Sequence, residues 1–136
     1  MNAFPLKIVT PDGLSFDGQA EELVVRTITG DLGILAGHVN CVAPLGMGRA
    51  TIVTDGTKRY AACIGGMVSV VDGKVTLVPT TFEWAEDIDL ERAKASSERA
   101  QQVLDDKNSD DVQIRLATAR LKRALVRSSV AGDRPM

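Results

Sequence analysis

The first 85 residues carry short apolar runs, most of them closed by a glycine-containing turn. Leu6-Lys7-Ile8-Val9 precedes Pro11-Asp12-Gly13, and Leu14-Ser15-Phe16 precedes Asp17-Gly18. Glu22-Leu23-Val24-Val25-Arg26 follows. Ala50-Thr51-Ile52-Val53 and Lys58-Arg59-Tyr60-Ala61-Ala62-Cys63 flank Asp55-Gly56, and Met67-Val68-Ser69-Val70-Val71 and Lys74-Val75-Thr76-Leu77-Val78 flank Asp72-Gly73. An Asp-Gly pair suits the left-handed backbone of a two-residue hairpin loop, so both pairs predict β-hairpins. Strands at this spacing predict a β-sandwich or barrel.

Beyond residue 85 the period changes. Leu90, Ala93, Ala100, Val103 and Leu104 recur at helical spacing, as do Ile114, Ala117, Leu121, Ala124, Leu125 and Ser128. Asp87 or Asp89 is the expected N-cap of the first helix, and Ser109 or Asp110 that of the second. The second helix should end near Val130, before Gly132 and Pro135. The short connection Asp105-Asp106-Lys107-Asn108-Ser109 predicts an antiparallel hairpin. The expected architecture is α+β, with a sandwich over 1–86 and a helical hairpin over 87–136.

Composition sharpens this division. Residues 1–85 hold eleven of the twelve glycines, whereas 20 of the 51 residues from 86 to 136 are charged. The hairpin's apolar face is thin and rich in alanine, so it buries little area and must dock weakly. A movable element and a static lid both fit that description.

Candidate chemistry is sparse. The net charge of −2 argues against a nucleic-acid binder. No apolar run reaches the roughly 18 residues of a membrane span, and the N-terminus lacks the pattern of a signal peptide. One histidine, His38, leaves little for metal chemistry, and Ser96, Ser97, Ser128 and Ser129 lie on expected helices without a histidine partner. A sandwich enzyme is therefore disfavoured. Cys41 and Cys63 lack CxxC spacing and are expected to be reduced and buried, a disulfide between them being the other reading. Gly30 to His38 lacks the ending of a phosphate loop and is expected to be a loop with glycines at tight turns.

The arginines say more. Arg92 and Arg99 share one helical stripe, and Arg120, Arg123 and Arg127 share another. With a turn near Lys107–Asn108, Arg92 should face Arg123 and Asp89 should approach Arg127. Such a corner suits a polyphosphate. Ion pairing with Asp89, Glu91 and Glu98 on solvated faces is the other reading.

Val9-Thr10-Pro11-Asp12-Gly13, Gly30-Asp31-Leu32-Gly33-Ile34 and Gly37-His38 are followed along the chain by Gly65-Gly66-Met67-Val68 and Val75-Thr76-Leu77. Asp87-Ile88-Asp89-Leu90-Glu91-Arg92-Ala93 and Leu121-Lys122-Arg123-Ala124-Leu125-Val126-Arg127 complete the series. With these segments in this order, the chain resembles the epsilon subunit of bacterial F-type ATP synthases over nearly its whole length. Ala36 departs from the proline common before the Gly-His pair, which bears on the local loop alone. The resemblance implies a flattened ten-stranded sandwich followed by a two-helix hairpin. It implies a non-catalytic central-stalk subunit at the cytoplasmic face of the cell membrane, attached only through the complex. The implied partners are the gamma subunit, the rotor c-ring and the alpha/beta catalytic head. Asp31 and His38 would lie at the stalk contact, and Arg120, Lys122, Arg123 and Arg127 would meet the head when the hairpin extends and inhibits ATP hydrolysis. Family members that bind ATP as a regulatory ligand carry a pattern matched here by Ile88, Asp89, Arg92, Ala93, Arg123 and Arg127, with Glu83 and Arg99 at corresponding positions. The resemblance implies no metal and no required cofactor. A free-standing nucleotide sensor is the alternative, separable by co-purification with a large ATPase complex.

Overall fold

The computed structural model describes residues 2–132. Pro135 and the rest of 133–136, expected to follow the second helix, lie outside the described residues. Eight strands come first: β1 (Phe4–Thr10), β2 (Gly13–Ala20), β3 (Glu22–Thr27), β4 (Gly30–Ile34), β5 (Cys41–Pro44), β6 (Met47–Thr54), β7 (Thr57–Val71) and β8 (Lys74–Trp84). They form one sheet in the order β2-β1-β8-β7-β6-β3-β4, with β5 also on β7.

The sheet becomes a sandwich because its two longest strands serve both layers. Residues 57–64 of β7 pair with β6, whereas 67–70 pair with β5. At the junction stand Gly65 (φ +68°) and Gly66 (φ +98°). A Cβ on Gly66 would lie 2.0 Å from the Val78 carbonyl oxygen, so backbone approach as well as φ demands glycine there. Halving β7 and β8 at this point accounts for the ten strands that the resemblance implies. The layers enclose Leu6, Ile8, Leu23, Val25, Ile34, Ile52, Val68 and Leu77, all essentially inaccessible. Backbone bonds close two corners, Glu21 N–H to Val53 O (2.7 Å) at one and Gly46 N–H to Arg26 O (2.9 Å) at the other.

Both predicted hairpins form, with positive φ at Asp55-Gly56 and at Asp72-Gly73. Two local expectations need correction. Asp17-Gly18 is no turn: it lies inside β2, opposite Lys7 and Leu6, because the ladder with β1 outweighs the dipeptide's local preference. Gly30 to Ile34 is no loop: it pairs with β3 as β4, with Ile34 buried opposite Leu23.

The helical part follows a short 3₁₀ turn, Ala85–Asp87. Helix α1 (Leu90–Asp105) is capped by Asp89, whose side chain accepts from Arg92 N–H. Helix α2 (Asp111–Ala131) begins with a reciprocal capping box between Asp110 and Gln113. Ala93, Ala100, Ala117 and Ala124 are buried at the seam. Small side chains let the helices approach so closely that Ile114 and Leu125, expected on the inner face, stand outside it, 39% and 54% exposed.

Candidate functional site

Alternation along the sheet places the site. On β7, Ala61 and Cys63 face the sandwich core, so Tyr60, Ala62 and Ile64 face outward. Register puts Glu83 beside Ala62 and Thr81 beside Ile64 on that outer face. The hairpin docks there through Ala62, Ala85, Ile88, Val130 and Ala131, with Tyr60, Leu90 and Val126 at the margin. This attachment uses the last turns of α2 and little of α1.

Two cavities lie beside the docking cluster and share Ser96 and Arg120, so they form one cleft. The inner, of about 350 Å³, is lined by Ile64, Thr81 and Glu83 of the sheet and by Arg123, Ala124 and Arg127 of α2. The outer, of about 490 Å³, runs between the helices past Arg99, Ala100, Val103, Gln113, Leu116 and Ala117. Four guanidinium groups therefore line the cleft against one carboxylate. Arg127 and Glu83 meet there: Nε donates to Oε1 at 2.6 Å and Nη2 to Oε2 at 3.3 Å. Both side chains are more than two-thirds buried, and the fork geometry makes this a charge-assisted pair that joins sheet to hairpin.

The expected residues divide. Glu83, Arg99, Arg123 and Arg127 line the cleft, and so does Arg120, which shares their stripe and which the resemblance placed at a protein contact. Arg92 is exposed and lines neither cavity. It does not stand across a shared cavity from Arg123, because the alanine seam sets the rotation of α1. Asp89 is occupied as an N-cap, and Arg127 turns to Glu83 instead of to it. Ile88 belongs to the docking cluster and Ala93 to the seam. Lys122 is exposed outside both cavities. Ser96, Thr81 and Ile64 had no place in the expected site. The signal for Ser96 was its position one turn before Arg99; for Thr81 and Ile64 only strand register reveals them.

Asp31 and His38 lie elsewhere. Asp31, on β4, pairs with Arg26 at 3.3 Å in an exposed bridge. His38 Nδ1 is 2.8 Å from the Val39 carbonyl and 4.0 Å from Cys41 Sγ. Both cysteines are free; burial pushes the Cys63 thiol up to about 12, whereas Cys41, also expected to be buried, is only half-buried. Among the described residues no group of three or more His, Cys, Asp or Glu could hold a metal ion, and no helix is long and apolar enough to cross a membrane.

Comparison with known proteins bears on the whole chain. Residues 3–85 match the β-sandwich domain of the ATP synthase delta/epsilon chain, and residues 86–132 match its long α-helix domain. The ATP synthase epsilon chain of Bacillus velezensis is 44% identical over 98% of this chain and all of its own length. That of Bacillus subtilis is 46% identical over 97% of this chain and 99% of its own. In fold, the chain is similar to one in the mitochondrial ATP synthase of Euglena gracilis (OSCP/F1/c-ring), with TM-score 0.83 and 22% identity, covering 93% of this chain and 80% of that one. A chain of the Tetrahymena thermophila central stalk and c-ring aligns at TM-score 0.59 and 15% identity, over 93% and 95%. The chain belongs to the ATP synthase delta/epsilon family, as an epsilon chain of the bacterial F-type enzyme and hence a non-catalytic subunit.

Proposed function

We propose that this chain couples and regulates the rotary enzyme from its central stalk, at the cytoplasmic face of the membrane. In this reading residues 1–86 form the permanent module. The sandwich holds the gamma subunit and the rotor c-ring, with the surface around Asp31 and His38 at that contact. Residues 87–136 form the conditional module. The hairpin leaves the sheet, extends toward the alpha/beta head and restrains ATP hydrolysis there, with Lys122 and the α2 arginines meeting acidic surfaces. ATP acts as a regulatory ligand that favours the docked hairpin, its phosphates met by Arg99, Arg120, Arg123 and Arg127.

The observation that supports this best is the hairpin's attachment. A five-residue apolar cluster, three of whose members are alanine, holds it beside a cleft with a cationic excess. A ligand that binds only the docked form shifts such an equilibrium by its differential affinity. Two measurements test the reading. Calorimetry of the full chain with ATP and ADP should give saturable heat, weakened by salt because the contacts are electrostatic. Removing residues 87–136 should leave assembly with gamma and the c-ring intact and raise ATP hydrolysis by the complex. Unchanged hydrolysis would remove the inhibitory role, and no heat at millimolar ATP would remove nucleotide sensing.

A further inference from the structure

The segment that leads from the sandwich into the hairpin is held by a side-chain stack over its first part only. The terminal ladder pair of β7 and β8 is Ala61 with Trp84. The same register carried two residues further sets Arg59 opposite Glu86, where the chain has already entered its 3₁₀ turn. Side chains continue the contact there. The Arg59 guanidinium lies 3.6 Å from the centre of the Trp84 ring, and its Nη2 donates to Glu86 Oε1 at 2.9 Å. Trp84 in turn meets Phe82 edge to face, with centroids 5.0 Å apart, and packs against the sandwich core. Arg59 and Glu86 are only 29% and 32% exposed, which strengthens both the stack and the ion pair.

Beyond Glu86 the ties are different. Ile88 has an extended backbone (ψ 127°), and its N–H reaches Ala85 O at 3.3 Å. Asp89 is extended as well (ψ 99°), and helical bonding begins with its carbonyl, which accepts Ala93 N–H at 3.0 Å. Rotation about the Ile88–Asp89 backbone can therefore swing α1 without opening a hydrogen bond of that helix. We propose that Arg59 is a positioning residue that sets the pivot of the hairpin at Ile88–Asp89. It holds Trp84 and Glu86 on the sandwich whether the hairpin is docked or released, so release begins at Ile88, a member of the docking cluster. This rests on the switch proposed above and supplies it with a fixed origin. Helix α1 has 16 residues and is about 24 Å long, so about ten degrees of play at its root would move its far end by about 4 Å. A clamp at the root therefore aims the released hairpin.

Trp84 is the chain's one tryptophan, so its fluorescence reports on the stack. The test compares acrylamide quenching in the natural chain, Arg59→Gln, Arg59→Lys and Val130→Asp; the last puts a carboxylate into the docking cluster and releases the hairpin. Hydrogen exchange verifies release at 124–131 and an intact sandwich in β7. Arg59→Gln bares one face of the indole, so its quenching constant should rise roughly twofold. Arg59→Lys should fall between, because lysine can pair with Glu86 but lacks the planar group that covers the ring. Val130→Asp should be quenched as the natural chain is, since the clamp stays on the sandwich. Quenching in Val130→Asp as strong as in Arg59→Gln overturns the proposal, because the pivot then lies before Trp84, and so does an unchanged constant in Arg59→Gln. In the assembled enzyme, Arg59→Gln should lose part of the restraint on hydrolysis that removal of 87–136 abolishes. If removal raises hydrolysis and Arg59→Gln leaves it unchanged, the aiming role falls and the switch stands. If removal changes nothing, the switch falls, and quenching alone decides the pivot.

Discussion

Val130→Ala should weaken the docking of the hairpin without unfolding the sandwich. Val130 is 1% exposed and packs with Ile88, Ala62, Ala85 and Ala131 in the small cluster between α2 and the sheet. The substitution removes two buried carbons, worth about 1.6 kcal/mol of transfer free energy. Alanine is the better helix former by up to about 0.7 kcal/mol, which offsets part of the loss. The net effect is about 1 kcal/mol, or roughly a fivefold rise in the undocked population. Val112→Ala isolates the propensity contribution, because Val112 is on the same helix and 55% exposed. Hydrogen exchange reads the outcome, since a hairpin released from the sheet is marginal alone and its amides open. Residues 124–131 should exchange about five times faster in Val130→Ala and no faster in Val112→Ala. Ala61 to Ile64 of β7 should exchange unchanged. Equal loss of protection in β7 would show one cooperative unit and refute the separation of core from docking cluster. No change in α2 would refute the docking role of Val130.

Three shorter predictions follow from other parts of the molecule. At pH 8, a thiol pushed up to about 12 holds roughly a thousandth of the thiolate of one at 9.0, so Cys63 should resist iodoacetamide in the native chain and react only on unfolding; rapid native labelling of both cysteines would contradict the burial. Gly66→Ala should cost about 3 kcal/mol or more in urea denaturation, from left-handed strain plus collision with the β8 backbone, whereas Gly13→Ala, with φ +121° and open space, should cost only about 1–2 kcal/mol. Arg123→Ala should weaken ATP binding by roughly 1.5–3 kcal/mol, the scale of a charge-assisted hydrogen bond, and lysine at that position should restore it only in part; an unchanged calorimetric affinity would take Arg123 out of the site.

The elements legible from the sequence were those whose local chemistry leaves one solution. Asp55-Gly56 and Asp72-Gly73 adopt positive φ because two strands return immediately on each side. Asp110, one of the two N-caps expected for the second helix, is the cap, and Gln113 completes a capping box with it. Legibility failed where pairing or packing decides. Asp17-Gly18 has the same dipeptide chemistry as the real turns, yet β1 pairs across it and keeps it extended. Gly65-Gly66 separates two apparent strands that are one, because glycine lets β7 bend without breaking its ladder to β8. The arginine stripes were readable as stripes, since spacing alone sets them. Their partners were not, because the rotation of each helix follows from which alanines meet, and that rotation leaves Arg92 outside the cleft. Ile88 and Val130 are 42 positions apart, and no local pattern announces that they dock together.

The difference between the two apolar clusters sets the energy scale of the proposed switch. The sandwich is closed by leucine, isoleucine and valine, each worth about 1.5–3 kcal/mol when fully buried. The docking cluster has only Ile88 and Val130 of that size beside three alanines, so its release costs a few kcal/mol while the sandwich stays folded. A ligand at a hundred times its dissociation constant contributes about 2.7 kcal/mol to the state it binds. That matches the docking term and is small beside the roughly 5–15 kcal/mol of a folded domain. In the proposed switch, a nucleotide at the cleft therefore has the energy to set where the hairpin rests without disturbing the sandwich. Replacing the seam alanines by leucine would force the helices apart, whereas enlarging Ala62 would act on docking itself. The hairpin's internal geometry and its attachment are thus set by different residues, the seam alanines and the docking cluster.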